Sequence, residues 1–178
     1  MERKATRFCT GGALALALAA CATAPRPAPP ADPVEADIRD VSGRDRARAS
    51  ITPVGGDLRL RIEALGLAPG AYGVHVHETG RCDPPGFASA GAHWNPDGRK
   101  HGKDNPQGMH KGDLPNLLVG SDGRGTLELT IPDAALSGGA AALLDADGAA
   151  IVIHAAPDDY RTDPSGSSGA RIACGVFN

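Results

Sequence analysis

Residues 58–62 read LRLRI and residues 125–131 read GTLELTI, so apolar side chains alternate with charged or polar ones. Because successive side chains of a β-strand point to opposite faces, this period of two predicts strands that bury one face. Similar short segments lie between turn-forming residues at 51–54, 72–77, 149–154 and 171–176. The sequence therefore predicts a domain built from short strands.

Turn-forming residues separate these segments and favour hairpin-like connections. Gly55-Gly56-Asp57 precedes the segment at 58–62, and the residues SDGR at 121–124 precede the segment at 125–131. The chain contains 24 glycines and 15 prolines but only 3% aromatic residues, which favours turns over long helices. We predict at most one helical turn, near 132–136, and an all-β fold, either a Greek-key β-barrel or a flattened sandwich.

Two long segments interrupt the pattern of strands. Residues 78–116 contain no convincing strand, and residues 155–169 are rich in glycine, proline, serine and aspartate. Long ordered loops in a compact domain are usually functional, and they need a metal ion or a disulfide to hold them in place. We therefore expect two long functional loops.

The first 20 residues have the features of a bacterial signal peptide. Basic residues near the start are followed by the apolar segment 11–20, which is too short to span a bilayer. The segment ends in LAAC at 18–21, which resembles the lipobox of bacterial lipoproteins, whose cysteine carries the lipid. We expect removal of residues 1–20 and lipidation of Cys21. An ordinary signal peptide with an unrelated cysteine is the alternative.

Residues 21–34 are rich in proline and alanine and have little to bury. They predict an extended tether between the lipid and a folded domain at 35–178, although a disordered tail would have the same composition. The expected location is the bacterial periplasm or cell envelope, with the protein anchored to a membrane through its lipid.

The charge balance bears on the partners of the exported chain. Removing residues 1–20 takes away three basic residues and one acidic residue, so the formal charge of -3 becomes -5. No basic tract remains in the rest of the chain. This composition argues against a nucleic-acid partner.

The cysteines favour one disulfide in the folded domain. Cys9 is lost with the signal peptide and Cys21 is expected to carry lipid, which leaves Cys82 and Cys174. A single pair of cysteines in an exported protein is most simply a disulfide. Two buried free thiols are the alternative, and a reducing compartment would favour them.

All six histidines belong to one group of candidate metal ligands. His75 and His77 are two residues apart in a predicted strand, so their side chains share a face and can chelate one ion. Two exposed strand histidines would give the same local pattern. The other four histidines and one aspartate lie farther along the chain: His93, His101, His110, Asp113 and His154.

These residues divide into two sets with different metal preferences. Three imidazoles and one carboxylate suit a closed, structural zinc site, and they are offered by His93, His101, His110 and Asp113. Four imidazoles suit Cu(II), and they are offered by His75, His77, His93 and His154. His93 belongs to both sets because an imidazolate has two nitrogens, but spacing alone does not establish such a bridge.

The motifs around these residues resemble those of the Cu,Zn superoxide dismutase family. The resemblance covers residues 35–178, with the ligand motifs in family order, and the spacing of Cys82 from His77 is similar to the bacterial branch. The matching segments are GVHVHETG (73–80), AHWNP (92–96), KHG (100–102), HKGDLPNL (110–117), IHA (153–155) and GARIACGV (169–176).

The resemblance implies a Greek-key fold and dismutation of superoxide to O2 and H2O2 at a copper ion. It implies one copper and one zinc per subunit, with His93 as the bridge between them. The implied copper ligands are His75, His77, His93 and His154. The implied zinc ligands are His93, His101, His110 and Asp113.

The resemblance also assigns roles to residues that do not bind metal. Arg171 is expected to guide the superoxide anion, and His93 is expected to exchange a proton during turnover. Asp158 is expected to connect a copper histidine to a zinc histidine. The resemblance also implies the disulfide between Cys82 and Cys174.

Three other functions use the same residues. A non-catalytic copper-binding or copper-delivery protein would lack a ligand or Arg171, and a copper-only relative would lack part of the zinc set. A structural zinc lipoprotein leaves His75, His77 and His154 unexplained. Whether the protein is a monomer or a homodimer is open. So is whether three loop lysines steer the substrate or are simply solvated: Lys100, Lys103 and Lys111.

Overall fold

The computed structural model describes residues 32–178, which form nine β-strands. The only helical element in this range is a single 3-10 turn at Ala88–Ala90. The all-β prediction is therefore confirmed. The strands are β1 (Val34–Asp40), β2 (Asp45–Val54), β3 (Asp57–Leu65), β4 (Gly70–Tyr72), β5 (Val74–His77), β6 (Leu117–Val119), β7 (Arg124–Ile131), β8 (Ala150–His154) and β9 (Arg171–Val176).

Seven strands form one antiparallel sheet in the order β5-β8-β9-β1-β2-β3-β7, and β4 pairs with β6. The hairpin of β8 and β9 lies between β5 and β1, and β7 pairs with β3 although three strands intervene in the chain. These are Greek-key connections. β6 approaches β7 at Gly125, where any side chain would meet the carbonyl of Leu118. The sheet therefore curls into the predicted Greek-key barrel.

The alternating strands bury the face that their sequences predict. In β3, Leu58, Leu60 and Ile62 are buried, whereas Arg59 and Arg61 are exposed. Each fully buried Leu or Ile side chain contributes roughly 1.5–3 kcal/mol through removal of apolar surface from water. The barrel interior is the main hydrophobic core, and it includes Val74 and Val76 of β5.

The structure differs from the sequence prediction at β1, at β6 and near Gly73. β1 and β6 were not predicted, because four of the seven residues of β1 are charged and β6 has only three residues. The single strand predicted at 72–77 is divided between β4 and β5. Gly73 lies at the division, where its N–H donates to the carbonyl of Ala156 at 2.9 Å.

The helical turn predicted near 132–136 is wrong. Pro132, Asp133 and Leu136 lie in bends, Ala135 forms a bridge with Ala142, and Asp133 has a left-handed φ of 50°. Its N–H donates to the Asp57 carboxylate at 3.0 Å, so a bond to the β2–β3 turn replaces the helical bonds.

The predictions about export fall on residues that the structure does not describe. The signal peptide at 1–20, Cys21 and all but the last three residues of the tether at 21–34 lie outside residues 32–178. Val34, the last residue of that tether, is the first residue of β1. Across the described range, no helix is long and apolar enough to cross a membrane.

Candidate metal centre

The histidines converge because both edges of β5 are paired. On one edge, His75 lies opposite Val152 of β8. On the other edge, the Trp94 N–H donates to the Val76 carbonyl at 2.8 Å, and the Val76 N–H donates to the Gly112 carbonyl at 2.9 Å. The first long loop, residues 78–116, is thus bound to the strand at two points. Its histidines lie beside those of β5.

Gly112 shows how closely the loop approaches β5. A side chain at this position would meet the carbonyl of Val76 and the backbone of Trp94. Only glycine leaves room for two backbones at this separation. The close approach brings His93 and Asp113 against β5, where the backbone of His77 bridges to His93 and that of His75 to Asp113.

Three buried imidazole nitrogens have no hydrogen-bond partner among residues 32–178. They are His75 Nδ1, His77 Nε2 and His154 Nε2. Leaving a buried polar atom unpaired costs about 1–3 kcal/mol, so such atoms indicate a ligand. Three unpaired nitrogens in one place fit a metal ion.

The partners of the opposite nitrogens determine which tautomer each ring adopts. His77 Nδ1 lies 3.1 Å from the Gly91 carbonyl, and His154 Nδ1 lies 3.2 Å from the Gly169 carbonyl. A carbonyl oxygen only accepts, so each Nδ1 carries the hydrogen and each Nε2 has a free lone pair. His75 adopts the opposite tautomer: its Nε2 carries the hydrogen and donates it to the Asp158 carboxylate at 2.9 Å, which leaves the Nδ1 lone pair free.

His93 completes an all-imidazole set. One ligand atom from each of four buried histidines lies within 4.8 Å of the others. Neutral imidazoles of this kind suit Cu(II). The four residues are those predicted for copper: His75, His77, His93 and His154.

A second set surrounds one oxygen of Asp113. The Nδ1 atoms of His93, His101 and His110 lie 2.8, 3.0 and 3.0 Å from Asp113 Oδ1. The other oxygen, Oδ2, accepts hydrogen bonds from the N–H groups of Gly102 and His110, which hold the carboxylate in place. Three nitrogens and one carboxylate oxygen are a donor set that suits zinc.

His75 lies close to both sets. One of its ring nitrogens is within 4.8 Å of ligand atoms of His93, His101 and Asp113. Its Nε2 is hydrogen-bonded to Asp158, whereas its unpaired Nδ1 belongs with the unpaired nitrogens of His77 and His154. We therefore assign His75 to the all-imidazole set.

Asp158 connects the two sets through a single buried carboxylate. Its Oδ2 accepts from His75 Nε2 at 2.9 Å, and its Oδ1 accepts from His101 Nε2 at 3.0 Å. All three side chains are inaccessible to solvent. This is the connection that the sequence resemblance implied.

The environment keeps most of these imidazoles neutral. Burial is the main cause that lowers the pKa of His77 to about 2, of His154 to about 3 and of His93 to about 4. These three rings can therefore offer lone pairs at neutral pH. His101 differs: burial opposes its protonation, but hydrogen bonds to Asp113 and Asp158 prevail and raise its pKa to about 9.

An open cleft of about 740 Å³ leads to the histidines, and Arg171 lies in its wall with His93 and His154. Arg171 is half-buried and donates to the carbonyls of Phe87 and Gly91 at 2.8 and 2.7 Å. Burial lowers its pKa, but a guanidinium stays protonated in proteins. The cleft therefore offers a fixed positive charge next to the histidine cluster.

The predicted disulfide between Cys82 and Cys174 is confirmed. It joins the first long loop to β9, three residues after Arg171. Phe87 and Ala90 pack against the disulfide in a small hydrophobic cluster. This packing holds the loop whose carbonyls accept the hydrogen bonds of Arg171.

The three loop lysines already have partners. Lys100 donates to Asp163 at 3.0 Å, and Lys111 donates to the Pro132 carbonyl at 3.0 Å. The Lys103 ammonium lies 4.3 Å from the centre of the Tyr160 ring. Of these lysines, only Lys100 lines the cleft.

The residues that hold the two long loops together were not predicted from the sequence. Asp163 accepts hydrogen bonds from the His101 N–H and from Lys100. Asn116 is hydrogen-bonded to Asp158 and to Tyr160, more than 40 residues away. Its place in the family-matching segment HKGDLPNL, three residues after Asp113, was the sequence signal for Asn116.

The comparisons with known proteins agree with this geometry. A family model described as copper/zinc superoxide dismutase matches residues 46–177. A Cu-Zn superoxide dismutase of Caulobacter vibrioides is 44% identical over 143 residues, which cover 79% of this chain and 82% of the relative. One from Aquifex aeolicus is 41% identical over 143 residues, with 79% and 85% covered. The crystal structure of a superoxide dismutase-like protein from Bacillus subtilis superposes with a TM-score of 0.76 at 41% identity and covers 81% of this chain and 97% of that one.

Proposed function

The chain belongs to the copper/zinc superoxide dismutase family, and we propose that it dismutates superoxide to O2 and H2O2 at a copper centre that His93 bridges to a structural zinc. The observation that carries this proposal is the group of three unpaired, buried imidazole nitrogens beside Arg171. A redox metal and an anionic substrate would meet at that point.

Each set of ligand atoms has its own metal in this proposal. Copper is held by His75, His77, His93 and His154, and zinc is held by His93, His101, His110 and Asp113. Support comes from the unpaired nitrogens in the first set and from the three Nδ1 atoms around Asp113 Oδ1 in the second.

Bound copper supplies one-electron redox chemistry for both halves of the dismutation, and bound zinc has no redox role. The chain's own residues bind the substrate, supply a proton and orient the ligand rings. Arg171 attracts the superoxide anion and orients it with guanidinium N–H groups. His93 Nδ1 faces Asp113 Oδ1, and these two atoms would hold zinc together, so Nε2 is the atom that would hold a proton and donate it to the second superoxide. Water would supply the other proton of H2O2. Asp158 keeps the rings of His75 and His101 in place.

Superoxide decay tests this function. The chain from residue 22 onwards would be loaded with copper and zinc and compared with a zinc-only preparation and with a His154→Ala variant. We expect rapid decay that requires both copper and His154. If the fully loaded protein is no faster than these controls, the same histidines form a copper-holding site without catalysis.

We also propose that the protein is exported and held at a membrane by lipid on Cys21. The proposal is supported by the basic start, the apolar segment 11–20 and the LAAC sequence at 18–21. Attached acyl chains contribute about 0.8 kcal/mol per buried CH2, so two or more chains give stable anchoring.

Fractionation of cells tests the anchor. Cys21→Ser should move the folded protein from the membrane fraction to the soluble fraction, whereas Cys9→Ser, inside the signal peptide, should leave it in the membrane fraction. A Cys21→Ser protein that stays with the membrane would overturn the proposal.

A further inference from the structure

Asn116 is bound to the backbone of Asp158 by both ends of its side chain. Its Oδ1 accepts from the Asp158 N–H at 2.7 Å, and its Nδ2 donates to the Asp158 carbonyl at 3.0 Å. A side-chain amide presents a donor and an acceptor side by side, as a neighbouring strand does. One side chain therefore holds both polar backbone groups of a residue that is 42 positions away.

The backbone of Asn116 makes a third hydrogen bond, to the turn at 158–160. Its N–H donates to the Tyr160 hydroxyl at 2.8 Å, and the Tyr160 N–H donates to Asp158 Oδ1 at 2.6 Å. Tyr160 has a φ of 63°, which is uncommon for a bulky residue and persists only where the surroundings hold it. The Asp104 N–H holds it from the other side by donating to the Tyr160 carbonyl at 3.0 Å.

The position of the turn at 158–160 matters for the histidine rings because both oxygens of the Asp158 carboxylate are already hydrogen-bonded to them. Its two oxygens accept from His75 Nε2 and His101 Nε2, and all three side chains are buried. A shift of the Asp158 backbone would therefore lengthen at least one of these bonds. The orientation of both rings depends on where that backbone lies.

We propose that Asn116 is a positioning residue that sets the orientation of the His75 and His101 rings through Asp158. The inference rests on the proposed function in taking those rings as a copper and a zinc ligand. It adds that a residue on the first long loop, hydrogen-bonded to neither ring, determines where the Nε2 atoms of both rings point.

The expected effect of removing the Asn116 side chain on zinc affinity follows from how strongly metal-binding histidines depend on their hydrogen-bond partners. Loss of a direct partner typically weakens metal binding about 10- to 100-fold. Asn116 acts through Asp158, so Asn116→Ala should raise the zinc dissociation constant by about tenfold, the lower end of that range. In the metal-free protein, the Nε2–H protons of His75 and His101 should exchange with water at least about tenfold faster.

The test uses the metal-free protein with 15N-labelled histidine, and NMR follows exchange of the two Nε2–H protons. Zinc affinity is measured by competition with a chelator. Thr162→Val is the matched control, because it removes a hydroxyl bond to Asp159 in the same loop without touching Asp158. The control should match the wild-type protein in both measurements.

Wild-type exchange and wild-type zinc affinity in a folded Asn116→Ala protein would overturn the inference. If that variant does not fold, Asn116→Asp takes its place, because it keeps the acceptor for the Asp158 N–H but loses the donor. Wild-type behaviour in Asn116→Asp would overturn the inference equally. Neither measurement uses superoxide, so the expected changes in a protein without dismutase activity would support this inference and overturn only the proposed function.

Discussion

His77 and Arg171 are hydrogen-bonded to the same atom, the carbonyl oxygen of Gly91, at 3.1 and 2.7 Å. The shared oxygen fixes the His77 tautomer, which leaves Nε2 free, and it also fixes one arm of the guanidinium. One peptide of the first long loop thus positions a proposed copper ligand and the proposed substrate-guiding cation. A displacement of that peptide would affect both.

Arg171→Glu should lower kcat/KM for superoxide by about tenfold or more, because local potential in a cleft changes the on-rate of a charged substrate by about 10 to 1,000-fold. Metal content should not change, since Arg171 is not in either ligand set. Superoxide decay and metal analysis would be measured together. Arg99→Glu is the matched control with the same charge change in the wall of the same cleft, and it should have a smaller effect. Equal losses in both variants would mean that only the total charge matters.

Gly166→Ala should destabilise the protein more than Gly138→Ala and should also weaken zinc binding. Both glycines have a left-handed φ, 62° and 78°, so each alanine costs about 1–2 kcal/mol in backbone strain. At Gly166 the added Cβ would also collide with the Asp158 carboxylate and approach the His101 ring. At Gly138 it would meet no described atom within 4 Å. Denaturant unfolding and chelator competition measure the two effects, and equal behaviour of the variants would contradict the prediction.

Replacing both Cys82 and Cys174 by serine should lower the free energy of unfolding by up to about 4–5 kcal/mol. The bridged residues are 92 positions apart, and a crosslink over so long a loop strongly limits the unfolded chain. Guanidinium unfolding of the metal-free protein measures the change. The wild-type protein with its disulfide reduced is the control and should resemble the double variant. A loss below about 1 kcal/mol would mean that the reduced, unfolded chain is already compact.

The stability of the metal-free protein should be highest near about pH 6.5, the ordinary pKa of histidine. His77, His93 and His154 have pKa values lowered to about 2, 4 and 3, so below pH 6.5 the unfolded state binds more protons and stability falls with decreasing pH. The pKa of His101 is raised to about 9, so the stability that it contributes is lost as pH rises from about 6.5 to about 9.

Denaturant unfolding at about pH 5, 6.5 and 9 measures this profile. A His154→Gln variant is the control, because it removes one neutral ring and should make the acid side of the profile shallower. Equal stability at all three pH values would contradict the assigned protonation states.

Much of the barrel follows from local sequence. The period of two in β3 and β7 predicted both strands, because alternating apolar and polar side chains match the two faces of a half-buried sheet. β1 was missed because four of its seven residues are charged, although Val34, Ala36 and Ile38 pack into the core. Its place in the sheet comes from pairing with β2 and β9, which no local pattern encodes.

The ligand types also follow from sequence, since six histidines and Asp113 occur in spaced motifs that match a known family. The sequence does not indicate which nitrogen of each imidazole ring is free to bind a metal. That choice depends on Gly91, Gly169 and Asp158, which reach the rings only when both long loops fold over β5 and β8. The sequence by itself thus determined most of the strands and the metal-binding residue types. Only the tertiary structure decided the histidine tautomers, the position of Arg171 and the hydrogen bonds between Asn116 and Asp158. The reason is that hydrogen bonds between distant segments form only after folding has brought those segments together.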